Sequence, residues 1–224
     1  MMTNLFSIFD PMTSYYFSMN WVSMIMFMLF IPSVYWLIPS NYGMLWNLMM
    51  NFINKELKVS LSKMMNMYNL LMFVSLFVMI MLNNFISLFP YIYNSSSHMS
   101  MTLSFSLMLW VSFMLFGWIN YSFHMFVHLT PQGTPYLLMP FMVLIESVSN
   151  FIRPLTLAIR LSANIIAGHL LMTLMSETMI SLNVLLVMLM VLIQGLLVVL
   201  EVAVSFIQSY VFSILSSLYA SEIN

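Results

Sequence analysis

Four runs of this chain, residues 11–54, 64–145, 178–200 and 202–221, contain no Asp, Glu, Lys or Arg. A helix needs about 20 apolar residues to cross the hydrocarbon core of a bilayer, so several crossings fit inside these gaps. Only 5% of the residues are charged, against roughly 25% in an ordinary soluble domain. So few charges cannot cover a water-facing surface. The pattern therefore predicts an all-α, polytopic integral membrane protein forming a single membrane-embedded domain over 1–224, with no separate soluble part.

The same arithmetic excludes several function classes. Without cysteine there is no disulfide framework, thiolate metal site or cysteine nucleophile. A net charge of −1 with five basic residues leaves no basic surface for nucleic acid. The opening residues carry neither the positive start of a signal peptide nor the arginines of a transit peptide. Either the first span targets the chain, or the chain is made in the compartment where it works. The 28 methionines beside five alanines and five glycines suggest an AT-biased organellar gene.

Spans are expected at about 15–38, 68–89 and 99–123, with Pro32 kinking the first. Residues 41–67 mix Trp46, Phe52, Leu57 and Leu61 with Lys55, Glu56, Lys58 and Lys63, which suits an amphipathic helix in the interface plane. Those lysines place it on the inner surface and the N-terminus outside. The segment 130–135, with two prolines and a glycine, reads as an inner loop. Beyond it, 135–175 and 182–219 are each too long for one upright crossing: 40 helical residues span about 60 Å against a core of about 30 Å. They are expected to form a long, steeply tilted helical hairpin turning near Ser176-Glu177.

Ionisable groups inside such spans are costly and point to function. Glu146, Arg153, Arg160 and Glu201 qualify. An arginine at mid-bilayer costs ~2.5–3.5 kcal/mol on insertion scales, yet no carboxylate lies three or four residues from Arg160. Glu201 on the facing helix is the near candidate in this chain; the alternative is a carboxylate from another protein. Ala158, Ala163, Ala167 and Gly168 crowd around Arg160 in a sequence poor in small residues, which signals close approach of another helix. At 100° per residue, Arg160, Ala163, Asn164, Ala167 and Gly168 share a face, and His169 points away from it. Glu201, Ser205, Gln208 and Ser209 form a polar stripe on the last helix. Glu146 near one end, His169 near the other and Arg160 between them suggest two proton half-paths separated by a fixed positive charge.

Each feature has a plainer reading. Arg153 either reaches lipid headgroups or pairs with Glu146. His169 with Glu201 makes a buried structural hydrogen bond, and Gln208 serves as interhelical glue. His124 and His128 suggest haem or zinc by spacing, but no cysteine or second histidine pair accompanies them. His98 sits in a polar outer turn with no specific task, and Asp10, Glu56, Glu177 and Glu222 are solvated. Three rival functions remain. A proton-pumping respiratory subunit should carry mid-membrane lysines, whereas these lie at 55–63. A haem carrier needs paired histidines on two helices. A structural anchor leaves Arg160 unexplained.

The stretch Arg160-Leu161-Ser162-Ala163-Asn164-Ile165-Ile166-Ala167-Gly168-His169 closely resembles the signature of the subunit a family of F-type ATP synthases. The mitochondrial form, also called subunit 6, is the nearer match. Asn83-Asn84-Phe85 through Pro90-Tyr91, Pro131 to Pro135, and Glu201 to Tyr210 also match, and the opening residues look like insect members. The resemblance covers nearly the whole chain and departs over 60–70 and 176–184. It implies a proton-conducting stator subunit that holds no nucleotide and no cofactor, protons being the transported ion. Arg160 is then the essential arginine facing the c-ring, whose small hairpins each carry a buried carboxylate. His169 and Glu201 line the half-channel from the intermembrane space, Glu146 lies near the matrix exit, and Asn164 and Gln208 are polar positions flanking the arginine. Bacterial relatives exchange the acid and the histidine between positions 169 and 201, which a proton relay tolerates and a metal site does not. Implied partners are the c-ring, other Fo and peripheral-stalk subunits and membrane lipid. The implied location is the mitochondrial inner membrane, N-terminus toward the intermembrane space and C-terminus toward the matrix.

Overall fold

The computed structural model describes residues 5–32, 38–61, 69–89, 91–130, 135–180 and 182–223. Six α-helices organise them: α1 (Asn41–Ser60), α2 (Leu70–Ser87), α3 (Met99–Asn120), α4 (Ser122–Leu129), α5 (Met139–Met179) and α6 (Val184–Ile223). Among the described residues no strand occurs, and α2, α3, α5 and α6 are long and apolar enough to cross a membrane. The all-α, multi-pass reading holds.

The first apolar run differs from expectation. In place of one α-helix over 15–38, the described part forms two short 3-10 helices, Met19–Met24 and Met26–Phe30. Bonds from Ile25 N–H to the Val22 carbonyl (2.9 Å) and Met28 N–H to the Ile25 carbonyl (3.1 Å) are of the tighter i→i−3 type. β-Branched Val22 and Ile25 are weak helix formers and Pro32 cannot extend the run. Residues 33–37 lie outside the described residues.

Ser40 starts α1: its Oγ accepts the Gly43 N–H at 3.3 Å. Ile53, Leu57 and Leu61 recur at helical spacing and are buried, while Lys55, Glu56 and Lys58 on the opposite side are exposed. That amphipathic split agrees with the expected amphipathic helix, which ends at Ser60; residues 62–67, Lys63 included, lie outside the described residues. The buried α1 residues form a core with Phe73, Phe77 and Met81 of α2 and Ala220 of α6. A second core joins Ile80 of α2, Leu109 of α3, Leu157 and Leu161 of α5, and Phe212 of α6. Apolar on nearly every side, α2 is the central post that both cores share.

The expected third span stops earlier, at Asn120. Tyr121 leaves helical geometry and α4, eight residues absent from the sequence reading, follows at once. The last two helices are as long as their sequences demand. α5 has 41 residues, about 60 Å at 1.5 Å per residue. Pro140 sits in its first turn, where no N–H is required. Pro154 lies inside it, and the helix passes through on packing from Leu157 and Leu161. The turn is later than Ser176-Glu177: α5 continues to Met179, and the Ser176 hydroxyl is satisfied inside it by the Thr173 carbonyl at 2.7 Å. α6 then returns alongside. No residue in 184–200 is buried, whereas Ser205, Ser209, Ser213, Ser216 and Ser217 make a buried stripe in its second half.

Candidate functional site

Two polar clusters sit near opposite ends of α5, with Arg160 between them. Near the start of the helix, Arg153 Nη1 donates to Glu222 Oε2 at 2.6 Å, and Nη2 lies 3.7 Å from Glu146 Oε1. Its guanidinium also stands 5.4 Å over the Tyr219 ring. The expected Arg153–Glu146 pair forms, but the closer partner is Glu222. The sequence reading left Glu222 solvated because nothing local shows that α6 ends beside α5. Asn150 and His128 border the same recess.

The second cluster lies where α2, α5 and α6 meet. An open cleft of about 280 Å³ is lined by Asn84 and Ser87 of α2, Asn164, Gly168 and His169 of α5, and Glu201 of α6. His169 Nε2 and Glu201 Oε2 are buried there, without a hydrogen-bond partner among the described residues. A buried carboxylate and imidazole left unpaired call for water, and the enclosed part of the cleft has room for about one water molecule. The arrangement sets two groups capable of gaining and losing a proton, an imidazole and a carboxylate, along one cleft. Gly168 makes the approach possible. A Cβ there would lie 2.7 Å from Glu201 Oε1, so only glycine leaves the carboxylate its place.

Arg160 belongs to neither cluster. It is exposed on α5 together with Ala163, Asn164 and Ala167, while Leu157, Ala158, Leu161 and Ser162 are buried on the other side. Among the described residues Arg160 has no hydrogen bond and no ion pair. Glu201, the in-chain counter-charge considered from the sequence, is turned toward Gly168 and the His169 cleft instead. His169 does point away from the arginine face, as the helical wheel requires. Asn164 is on that face and also lines the cleft, so it joins the two.

Gln208 lies half-buried on α6 outside the cleft. His124 and His128 are neighbours on α4, ring centroids 6.5 Å apart, and among the described residues no third ligand groups with them. His98 is no idle loop residue. Its Nε2–H donates to the Phe9 carbonyl at 2.9 Å, and its ring packs between Trp21 and Tyr93, fastening the N-terminal segment to the α2–α3 connection.

The model of the ATP synthase A chain family matches residues 16–221. The chain belongs to that family. Full-length similarity agrees: ATP synthase subunit a of Drosophila melanogaster is 54% identical over 100% of both chains. The proteins of that name from Aedes aegypti and Locusta migratoria are likewise 54% identical over the whole of each chain. As an ATP synthase A chain family member, the protein takes part in ATP synthesis as a multi-pass component of the membrane sector. Asn84 and Ser87 are the cleft residues that sequence reasoning missed. The signal available was a pair of asparagines, Asn83-Asn84, inside an otherwise apolar span.

Proposed function

We propose that this chain is the proton-conducting stator of a mitochondrial ATP synthase, supplying two offset half-channels separated by Arg160 and coupling proton flow to rotation of a carboxylate-bearing ring. The observation that carries the reading is the position of Arg160: a cation without a partner among the described residues, exposed on α5 beside Ala163, Asn164 and Ala167. An arginine in a membrane requires a counter-charge, and small residues let a neighbouring helix come close. A ring hairpin with a buried carboxylate satisfies both requirements.

The remaining roles follow from the clusters. The His169–Glu201 cleft serves protons from the intermembrane space, and the Glu146–Arg153–Glu222 cluster serves the matrix side. A proton leaving Glu201 moves to the ring carboxylate through water that Asn164 hydrogen-bonds. Arg160 repels free protons, so passage requires the ring carboxylate to carry them past it. A membrane potential does about 2.3 kcal/mol of work per charge per 100 mV, and rotation takes up that work. The orientation, N-terminus toward the intermembrane space, rests on the lysines of α1.

The cysteine-free sequence makes the test direct. A single cysteine replaces Ala167, is cross-linked in native membranes, and the attached protein is identified by mass. Attachment to a small helical hairpin carrying an acidic residue is the expected result. Attachment to a large redox subunit, or to no protein, overturns the reading.

A further inference from the structure

The proton-path reading gives no task to Asn84. Near the end of α2, it is 1% exposed, and its Nδ2 is buried with no hydrogen-bond partner among the described residues. A buried amide left unpaired is costly, so a site that keeps one has a use for it or holds water. Its Oδ1 accepts from Ser96 Oγ at 2.9 Å. Ser96 belongs to the Ser95–Ser97 turn between α2 and α3.

Asn84 borders two recesses. On one side is the His169–Glu201 cleft. On the other is a second cleft of about 400 Å³, lined in its polar part by Asn83, Ser95, Ser96 and Thr102. The orphaned atoms are thus an amide from α2, an imidazole from α5 and a carboxylate from α6, all in residues that line one cleft. A water takes two to four polar partners, and these three groups are what it needs.

We propose that Asn84 is a positioning residue of the proton path: it holds the water that connects the Ser95–Ser97 turn with His169 and Glu201. This inference rests on the half-channel reading of that cleft. A proton arriving at the turn passes from water to water, each molecule accepting one proton and releasing another, and ends on His169 or Glu201. Asn84 neither gains nor loses a proton. Its amide fixes the water, and Ser96 fixes the amide.

The test uses the intact complex in native membrane vesicles at a fixed imposed potential, measuring the ATP synthesis rate in H2O and in D2O. Asn84→Leu keeps the bulk and removes the polarity. Its rate should fall roughly tenfold, the effect of one good hydrogen bond lost at a limiting step, and its H2O/D2O ratio should rise. Asn84→Ser, which leaves a hydroxyl and space for a second water, should restore most of the rate. A native rate in Asn84→Leu overturns the proposal. So do equal losses in the Leu and Ser variants with an unchanged isotope ratio, because that is the mark of packing alone. Should Asn84→Leu fail to assemble, Ser96→Ala frees the amide without adding bulk; a slower rate with a raised isotope ratio is expected, and a native rate overturns. Glu201→Gln, run in parallel, separates the two levels. If it slows synthesis while the Asn84 variants do not, Asn84 is dismissed and the path stands; if it too is native, the path reading itself fails.

Discussion

Gly168 and Glu201 occupy the same space in turn: a methyl group on Gly168 would lie 2.7 Å from Glu201 Oε1 and 3.0 Å from its Cδ. The glycine of α5 therefore sets the rotamer of a carboxylate on α6. Small-residue contacts between membrane helices usually concern packing. Here the contact concerns where a titratable group points.

Gly168→Ala should separate stability from function. The methyl group meets the mobile end of a side chain, so Glu201 rotates away at a cost of about 0.5–1.5 kcal/mol. Alanine regains about 1 kcal/mol of helix preference. Thermal stability of the assembled complex should hardly move, while ATP synthesis slows severalfold because Glu201 no longer faces His169. Gly195→Ala on α6 is the control, since nothing of this chain lies within 4 Å of the added atom. Equal synthesis rates in both variants would disprove the geometric role of Gly168.

Arg160→Ala should abolish coupled synthesis, to below about 1% of the native rate, the scale of losing a fixed charge at a reacting centre. Proton leak through the membrane sector persists or the rotor stalls, but the two are no longer coupled. Because Arg160 is exposed and has no partner among the described residues, the variant should assemble normally. Synthesis and proton flux measured on the same vesicles decide the matter, and normal coupling rejects the stator reading.

Some of this was legible in the sequence and some was not, for physical reasons. Arg160 stood out because a charge in an apolar run has no cheap explanation, and the alanines around it marked the approached face. His169 and Glu201 were readable as titratable groups in apolar helices, and the family resemblance set them in one half-channel; spacing alone does not level them, and the contact of Glu201 with Gly168 is visible only in the fold. Asn84 was not, since its burial depends on α2 being central, and that depends on α1, α3 and α6 all packing on it. Glu222 looked solvated because only tertiary structure returns the end of α6 to Arg153. The first span was overread: composition shows that 15–38 is apolar, but not that Val22, Ile25 and Pro32 weaken a single α-helix there. The hairpin turn was misplaced by polarity alone, for Ser176 bonds within α5 and does not end it.

The two contacts of Arg153 should prove unequal. Glu222 is at 2.6 Å and Glu146 at 3.7 Å, and all three side chains are partly exposed. Double-mutant cycles with Arg153→Met, Glu222→Gln and Glu146→Gln, read from thermal melts of the complex, should give a coupling of about 0.5–1 kcal/mol for the 153–222 pair. The 153–146 coupling should be near zero. The reverse order would mean that α6 does not close against α5 as described.

Tyr93 offers a prediction with a pH sign. It lies between α2 and α3, and burial, followed by the nearby Asp10 charge, pushes its phenol up from 10.0 to about 12. The unfolded phenol ionises first, so the local structure keeps its full stability below pH 10 and loses it progressively as pH rises to about 12. Tyr93→Phe should lack that alkaline loss. At neutral pH the variant should be as stable as the native chain, because the Tyr93 hydroxyl is buried without a partner and its removal breaks no hydrogen bond. Trp21, whose ring meets Tyr93 edge-on at 6.0 Å, reports release of the N-terminal segment by fluorescence. An alkaline transition that is identical in native and Tyr93→Phe complexes would show that this phenol is not the group responsible.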